Sequence, residues 1–178
     1  IEDFPEYLAA YDFVASVREE QGDLLEAQAV LLKAAAISSN NSLRQRMVGD
    51  VAVLNDDLET AERAYGKVLE RHNGSSLRVI DDYTNLSRVM LDNGHTDGAK
   101  KITRDLRRDL RGSNQGELAA LIMDSLCADR EGEPVKAKQS LEKALAMHRE
   151  LQGENDFSQK ISVDLAHACL ATGDQAMA

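Results

Sequence analysis

The sequence predicts an all-α protein, an α-solenoid of stacked helix–turn–helix hairpins with about nine to ten helices and no sheet. Three observations predict it. First, a short pattern recurs. Gly22-Asp23-Leu24-Leu25-Glu26-Ala27 returns as Asp56-Asp57-Leu58-Glu59-Thr60-Ala61, as Gly94-His95-Thr96-Asp97-Gly98-Ala99, as Gly132-Glu133-Pro134-Val135-Lys136-Ala137 and as Gly173-Asp174-Gln175-Ala176-Met177-Ala178. Its final alanine falls at positions 27, 61, 99, 137 and 178, an interval of 34 residues at first and 38 to 41 later. Repetition on that scale marks an array of helical hairpins. Second, the apolar residues between these marks follow helical spacing, and no segment alternates apolar and polar residues over a strand's length. Third, the prolines are only Pro5 and Pro134, so little interrupts a helix between them.

The elements follow in order. Pro5 opens a first helix over 5–21, with Leu8, Tyr11, Val14, Ala15 and Val17 at helical spacing, and Gly22 closes it in the left-handed region. Asp23 caps a second helix carrying Leu24, Ala27, Leu31, Ala34 and Ala35. Ser38-Ser39-Asn40-Asn41 is the loop out, because short polar side chains compete for local backbone groups. The second pair spans 42–54 and 58–72, with Leu43, Met47, Val48, Val51 and Leu54 facing inward on its first helix and Ala61, Ala64, Tyr65 and Val68 on its second. A turn cluster at 73–76 leads to the third pair, 77–92 and 96–111. The fourth pair spans 115–130 and 134–151. A polar loop at 152–156 precedes a ninth helix from Phe157 to Ala171, and a tenth begins at Asp174. The reading is a single array over 1–178, with repeats of about 8–41, 42–76, 77–114, 115–155 and a truncated 156–178. Each helix is amphipathic, so neighbouring pairs must stack to bury a continuous core.

Bulk composition narrows the function classes. With 43% hydrophobic residues, 4% aromatic and no Trp, the core must be built from Leu, Ala, Val and Ile. A net charge of −10 argues against nucleic acid as a general partner, since phosphates need cations. Cys127 and Cys169 lie within apolar helical patterns and read as independent buried thiols rather than a disulfide framework. No run approaches a membrane span and no signal-peptide pattern appears, so no membrane contact is expected. The chain begins at Ile1 and its last residues enter a new helix, which reads as a fragment of a longer cytoplasmic protein.

The repeat resembles the tetratricopeptide repeat. In the first repeat the family positions fall on Tyr11, Val14, Ala15, Ala27, Leu31 and Ala34; in the second on Gln45, Val48, Gly49, Ala61, Tyr65 and Val68. In the third they fall on Tyr83, Leu86, Ser87, Ala99, Thr103 and Leu106; in the fourth on Leu121, Asp124, Ser125, Ala137, Leu141 and Ala144. The resemblance implies that Ala27, Ala61, Ala99, Ala137 and Tyr65 pack the two helices of each pair together. Gln45, Thr103 and Asp124 depart from the pattern. A narrower resemblance rests on Leu43-Arg44-Gln45-Arg46, Gly49-Asp50-Val51-Ala52, the run from Asp57 to Tyr65, Asp82-Tyr83 with Leu86-Ser87-Arg88, and Asp164-Leu165-Ala166 with Cys169-Leu170. These look like the output region of bacterial two-component response regulators, in which a phosphorylatable receiver of the phosphorelay precedes the array. No receiver is present here.

No constellation for catalysis stands out. His72, His95, His148 and His167 are scattered through separate repeats, whereas a metal site needs three or four converging ligands. The segment from Asp92 to Gly98 lacks the alternating oxygen ligands and terminal Glu of a calcium loop. There is no phosphate loop, nucleophile elbow or zinc-protease helix. No catalytic residue, metal or cofactor is assigned, and the chain reads as a non-enzyme. Arg104, Arg107, Arg108 and Arg111 share a helix face beside Lys100 and Lys101. A basic strip for an acidic partner is one reading. A solvated outer face, offset by Asp97, Asp105 and Asp109, is the preferred one.

A binding surface is expected on the concave face, lined by the first helix of each pair. By family position it comprises Asp12, Phe13, Ser16 and Glu19, then Arg46, Met47, Asp50 and Val53, then Asn85, Arg88, Ile122, Met123, Leu126, Asp164 and His167. This mixture suits a docking peptide or helix. Chaperone-tail binding is rejected, because that clamp needs Lys and Asn where Asp12, Ser16 and Met47 stand. The expected function is a protein–protein interaction module, the effector part of a response regulator, with a protein or peptide partner. The alternative is a helical-repeat transcription regulator that senses a ligand or peptide. The truncated C-terminal end, where Leu165, Ala168 and Cys169 should be partly uncovered, is expected to pair with another copy as a homodimer or with the chain's own continuation.

Overall fold

The computed structural model describes residues 6–70, 79–151 and 159–173. Among them are nine α-helices and no strand: α1 (Leu8–Glu20), α2 (Leu24–Ile37), α3 (Ser42–Leu54), α4 (Leu58–Glu70), α5 (Val79–Asp92), α6 (Thr96–Asp109), α7 (Asn114–Arg130), α8 (Pro134–Leu151) and α9 (Gln159–Ala171). The chain divides into two compact units, Ile1–Asn73 and Gly74–Ala178. In the first, α1 packs on α2, α2 on α3 and α3 on α4. In the second, α5 and α6 pair, as do α7 and α8, while α7 also packs on α5, α6 and α9. Pro5, His72, the turn cluster at 73–76, the loop at 152–156, Phe157 and the expected tenth helix lie outside the described residues.

The repeated hexapeptide is one turn built the same way each time. The first helix ends with a residue in the left-handed region: Gly22, Gly94, Gly132 and Gly173 have φ between 71° and 80°. Asp56 takes that place in the second pair with φ 58°, the one non-glycine at positive φ among the described residues. The next backbone N–H reaches back to the first helix: Asp23 to Arg18 O (2.9 Å), Asp57 to Ala52 O (2.9 Å), His95 to Met90 O (2.7 Å) and Glu133 to Ala128 O (2.9 Å). These bonds satisfy helix-end carbonyls that otherwise have no partner. Where the following residue is Asp it also caps the next helix, Asp23 accepting from Glu26 N–H and Asp57 from Thr60 N–H.

Each hairpin closes on a pair of small residues twelve positions apart. Ala15 with Ala27, Gly49 with Ala61, Ser87 with Ala99 and Ser125 with Ala137 are all buried. The two serines satisfy their hydroxyls across the seam, Ser125 donating to Ala137 O at 2.9 Å and Ser87 to Ala99 O at 3.4 Å. Tyr65 is also buried. Around these seams the core is aliphatic. Leu31, Leu106, Leu118 and Leu141 are each at most 1% exposed, and burying each contributes roughly 2 kcal/mol.

Four expectations need correction. α6 ends at Asp109, and Leu110 to Gly112 form a turn before the Ser113 cap of α7, so Arg111 is not on the helix face of Arg104, Arg107 and Arg108. On α3, Leu43 and Leu54 point out while Arg44, Gln45, Gly49 and Ala52 point in, because an ion pair and the Tyr65 seam set the helix phase. Leu165, Ala168 and Cys169 are not partly uncovered. They lie in the core cluster with Leu118, Ile122, Leu141 and Ile161, which removes the apolar surface that motivated pairing through that end. Ile122 and Met123, expected on the groove, are 0% and 1% exposed. The cause is the position of α7, which is covered by α5, α6, α8 and α9: Ile122 and Met123 face the core shared with Leu141 and Ile161, and Leu126 and Arg130 are left to the open face.

Candidate functional site

In the second unit the first helices α5, α7 and α9 lie side by side, with α7 in the middle. A cavity of about 150 Å³ opens along them, lined by Arg88, Leu91 and Asp92 of α5, Leu126 and Arg130 of α7, and His167 and Ala171 of α9. Three of these, Arg88, Leu126 and His167, are among the residues that sequence position assigned to the binding face. Three others are each one helical turn further on: Asp92 follows Arg88, Arg130 follows Leu126 and Ala171 follows His167 at i+4. Helical periodicity places i and i+4 on one face, so this was a signal in the sequence that went unused.

The cavity has an aliphatic floor and a charged rim. Arg88 Nη1 donates to Asp164 Oδ1 at 2.7 Å, and Lys160 Nζ donates to Asp164 Oδ2 at 2.6 Å and to Thr84 Oγ1 at 3.0 Å. Asp164 is 3% exposed and so is held by two cations. Arg88 Nη2 lies 2.8 Å from His167 Nδ1. Arginine can only donate, so Nδ1 accepts and the ring proton sits on Nε2. Across the same face Arg130 Nη2 donates to Asp92 Oδ1 at 2.7 Å, with both side chains 52% exposed. That exposed pair adds little stability, whereas Arg88 is anchored to a buried carboxylate. Asn85 is half-buried one turn before Arg88 and is not among the lining residues.

In the first unit the expected face residues do structural work. Arg44, 8% exposed, donates from Nε and Nη2 to the two carboxylate oxygens of Asp12 at 3.0 and 2.7 Å, and from Nη1 to Ser38 Oγ at 2.6 Å. Hydrogen bonding to Asp12 holds the guanidinium's pKa above its ordinary value against the opposing effect of burial. Asp12 thus ties α1 to α3. Asp50 accepts from the Tyr65 hydroxyl at 2.6 Å. Ser16 donates to Asp12 O. Met47 packs half-buried against the core of this unit, Arg46 is half-buried, and Glu19 and Val53 are exposed. Phe13 is 71% exposed beside Val14, Val17, Arg18 and Gln21, around a shallow depression of about 270 Å³. At the turn into α4, Gln28 donates to Asp57 Oδ2 at 2.6 Å and accepts from Asn55 Nδ2 at 2.7 Å. Burial pushes the Asp57 carboxyl upward, but the bonds from Thr60 and Gln28 outweigh it and hold it below the usual range.

The basic residues of α6 are largely tied within the molecule. Arg107 pairs with Glu117 and Asp124 of α7, Arg108 with Asp105 and Asp109, and Lys100 with Glu131. Asp124, a departure from the repeat pattern, therefore has a partner in Arg107. Thr103 donates to Ala99 O at 2.9 Å, which satisfies a hydroxyl where the pattern wants an apolar residue. Gln45 is 3% exposed. Cys127 and Cys169 are free and buried, and burial pushes the Cys127 thiol up to about 11. His148 is half-buried against Ser162, and burial lowers its pKa. His95 and His167 are exposed. Among the described residues no three His, Cys, Asp or Glu side chains converge as a metal site, and no helix is long and apolar enough to cross a membrane.

No protein-family model matches the sequence, and no curated protein matches it. Solved structures do. The MamA protein is 15% identical, with 86% of this chain and 80% of that one covered and a TM-score of 0.66. A tetratricopeptide repeat protein from Parabacteroides merdae ATCC 43184 is 12% identical over 97% of this chain, with a TM-score of 0.69, and the match spans 61% of its length. YrrB, described as a TPR protein with an unusual peptide-binding site, is 16% identical over 99% of this chain and 92% of its own, with a TM-score of 0.55. The helical hairpins, their small-residue seams and these neighbours agree on one conclusion: the chain has the tetratricopeptide-repeat fold.

Proposed function

We propose that this chain is a non-catalytic interaction module that holds a peptide segment of a partner protein on the face formed by α5, α7 and α9. The observation that supports it is the convergence of Arg88, Leu126 and His167, from three separate helices, on one cavity with an aliphatic floor and a charged rim. Binding sites of this kind combine an apolar depression with a few placed polar groups. Peptide binding by the neighbour YrrB is consistent with the reading. The wider setting we propose, from the residues that look like response-regulator output regions, is the effector part of a two-component system. Phe13, with Val14 and Val17 beside it, is a second proposed contact surface on the first unit.

The test is affinity capture from lysate with immobilised protein, followed by cross-link mapping. An identified partner should cross-link to α5, α7 or α9, and Leu126→Glu should abolish its capture while leaving the circular dichroism spectrum unchanged. Undiminished capture by the folded Leu126→Glu protein would overturn the assignment of the face.

A further inference from the structure

We infer that this face selects an aliphatic side chain adjacent to an internal Asp or Glu, with the aliphatic group in the cavity and the carboxylate on Arg88. The inference rests on the peptide-binding reading above and names what the peptide must carry.

Size sets the first half of the motif. An enclosed apolar cavity of about 150 Å³ accommodates a group the size of benzene; this one has the same volume, about 150 Å³, but opens to solvent between its charged residues. One side chain fits, and a whole helix does not. The floor is Leu91, Leu126 and Ala171, so the group that displaces water from it must be hydrocarbon.

Charge sets the second half. Asp164 is shared by Arg88 and Lys160, so the charges of these three side chains sum to one positive. The Arg130–Asp92 pair across the same face sums to zero. In a chain of net charge −10, this is a local cationic spot. Arg88 uses Nη1 on Asp164 and Nη2 on His167. A guanidinium has five N–H donors, so others remain for a ligand oxygen. Its anchor is buried, so the cation is held in place before the ligand arrives, which lowers the cost of ordering it. His167 offers Nε2–H next to it. The Arg130–Asp92 pair is exposed on both sides and costs little to part, so the peptide backbone can cross there.

A side-chain carboxylate is favoured over a chain terminus by the lining. Terminal carboxylates are held by nests of free N–H groups or by a Lys and Asn clamp, and no Lys or Asn lines this cavity. The lining residues sit within or at the C-terminal ends of α5, α7 and α9, where N–H groups are already spent inside the helix.

The experiment selects random dodecapeptides, displayed with both ends blocked, on the immobilised protein. Selected peptides are then measured by fluorescence anisotropy. Enrichment of Leu, Ile or Met beside Asp or Glu is the expected result. Changing that acid to its amide should weaken binding about tenfold. Arg88→Gln should erase the difference between acid and amide peptides, and Arg88→Lys should retain part of it. The peptide-side change needs no protein variant, so the test stands even if Arg88→Gln fails to fold. Selected peptides with no acid preference, or a preference that survives Arg88→Gln, overturn this inference and leave peptide binding intact. Selection only from a library with free C-termini overturns the side-chain assignment. Failure to select from either library overturns the peptide-binding reading itself.

Discussion

Gly49 lies directly against the ring of Tyr65. A Cβ added at Gly49 would stand 2.6 Å from Tyr65 Cε1 and 2.7 Å from Cζ. The ring cannot swing away freely, because its hydroxyl donates to Asp50 at 2.6 Å. Tyr65 and Gly49 are thus a matched large–small pair across the α3–α4 seam. Gly49→Ala should destabilise the chain by about 2 kcal/mol through overpacking, read from urea unfolding. In a Tyr65→Leu background the same change should cost far less. Equal costs in both backgrounds would mean that the ring is not what excludes the methyl.

Asp56 points to an easy gain. It adopts φ 58° where Gly22, Gly94, Gly132 and Gly173 serve the other turns. A left-handed conformation costs a non-glycine residue roughly 1 kcal/mol, somewhat less for Asp. Asp56→Gly should therefore raise stability by about 0.5 kcal/mol after the entropy that glycine adds to the unfolded chain. A lower melting temperature for Asp56→Gly would show that the Asp56 side chain earns its place by a contact.

The Asp12–Arg44 pair should be costly to break from one side. Arg44 is 8% exposed, and Asp12→Ala leaves its charge without a carboxylate. We expect a loss of about 2 kcal/mol, below the full cost of a buried pair because Asp12 itself is partly solvated. The double variant Asp12→Leu with Arg44→Met should recover much of it. No recovery would mean that Ser38 and the α1–α3 packing, rather than the stranded charge, set the loss.

His148 makes stability depend on pH. Burial lowers its pKa in the fold, so the unfolded chain takes up a proton that the folded chain resists. Stability is therefore unaffected well above the ordinary imidazole value of about 6.5 and falls as pH drops through it. Melting temperature measured from pH 8 to pH 5 should fall less steeply for His148→Gln than for the parent. Parallel curves would remove His148 from the account.

Much of the fold was legible because it is written in local chemistry. The hexapeptide that ends in Ala27, Ala61, Ala99 and Ala137 encodes a turn, a helix start and a packing seam within a few residues. Helix phase was less legible. Leu43 and Leu54 read as inward on hydropathy alone, yet the ion pair of Arg44 with Asp12, 32 residues away, turns α3 to bury the arginine. Ile122 and Met123 misled for a different reason. An apolar groove lining and an apolar core look alike in sequence, and only the number of helices around α7 separates them. Arg88 and His167 were legible as candidates, but their meeting depends on α9 crossing to α5, 79 residues away in the chain.

Asp164 is a tether between two helices. Arg88 on α5 is oriented by a carboxylate on α9, and α9 also reaches back to α5 through Lys160 and Thr84. The proposed binding face therefore depends on the final described helix, which gives it His167 and Ala171 directly and holds Arg88 through Asp164. A proteolytic clip or an alternative reading frame that removed residues after 151 would leave Arg88, Leu126 and Arg130 in the chain yet unlock the guanidinium from its seat. Integrity of the C-terminal helix would then act as a licence for the proposed recognition: a trimmed molecule would lose His167 and Ala171 and, with Asp164, the anchor that orients Arg88.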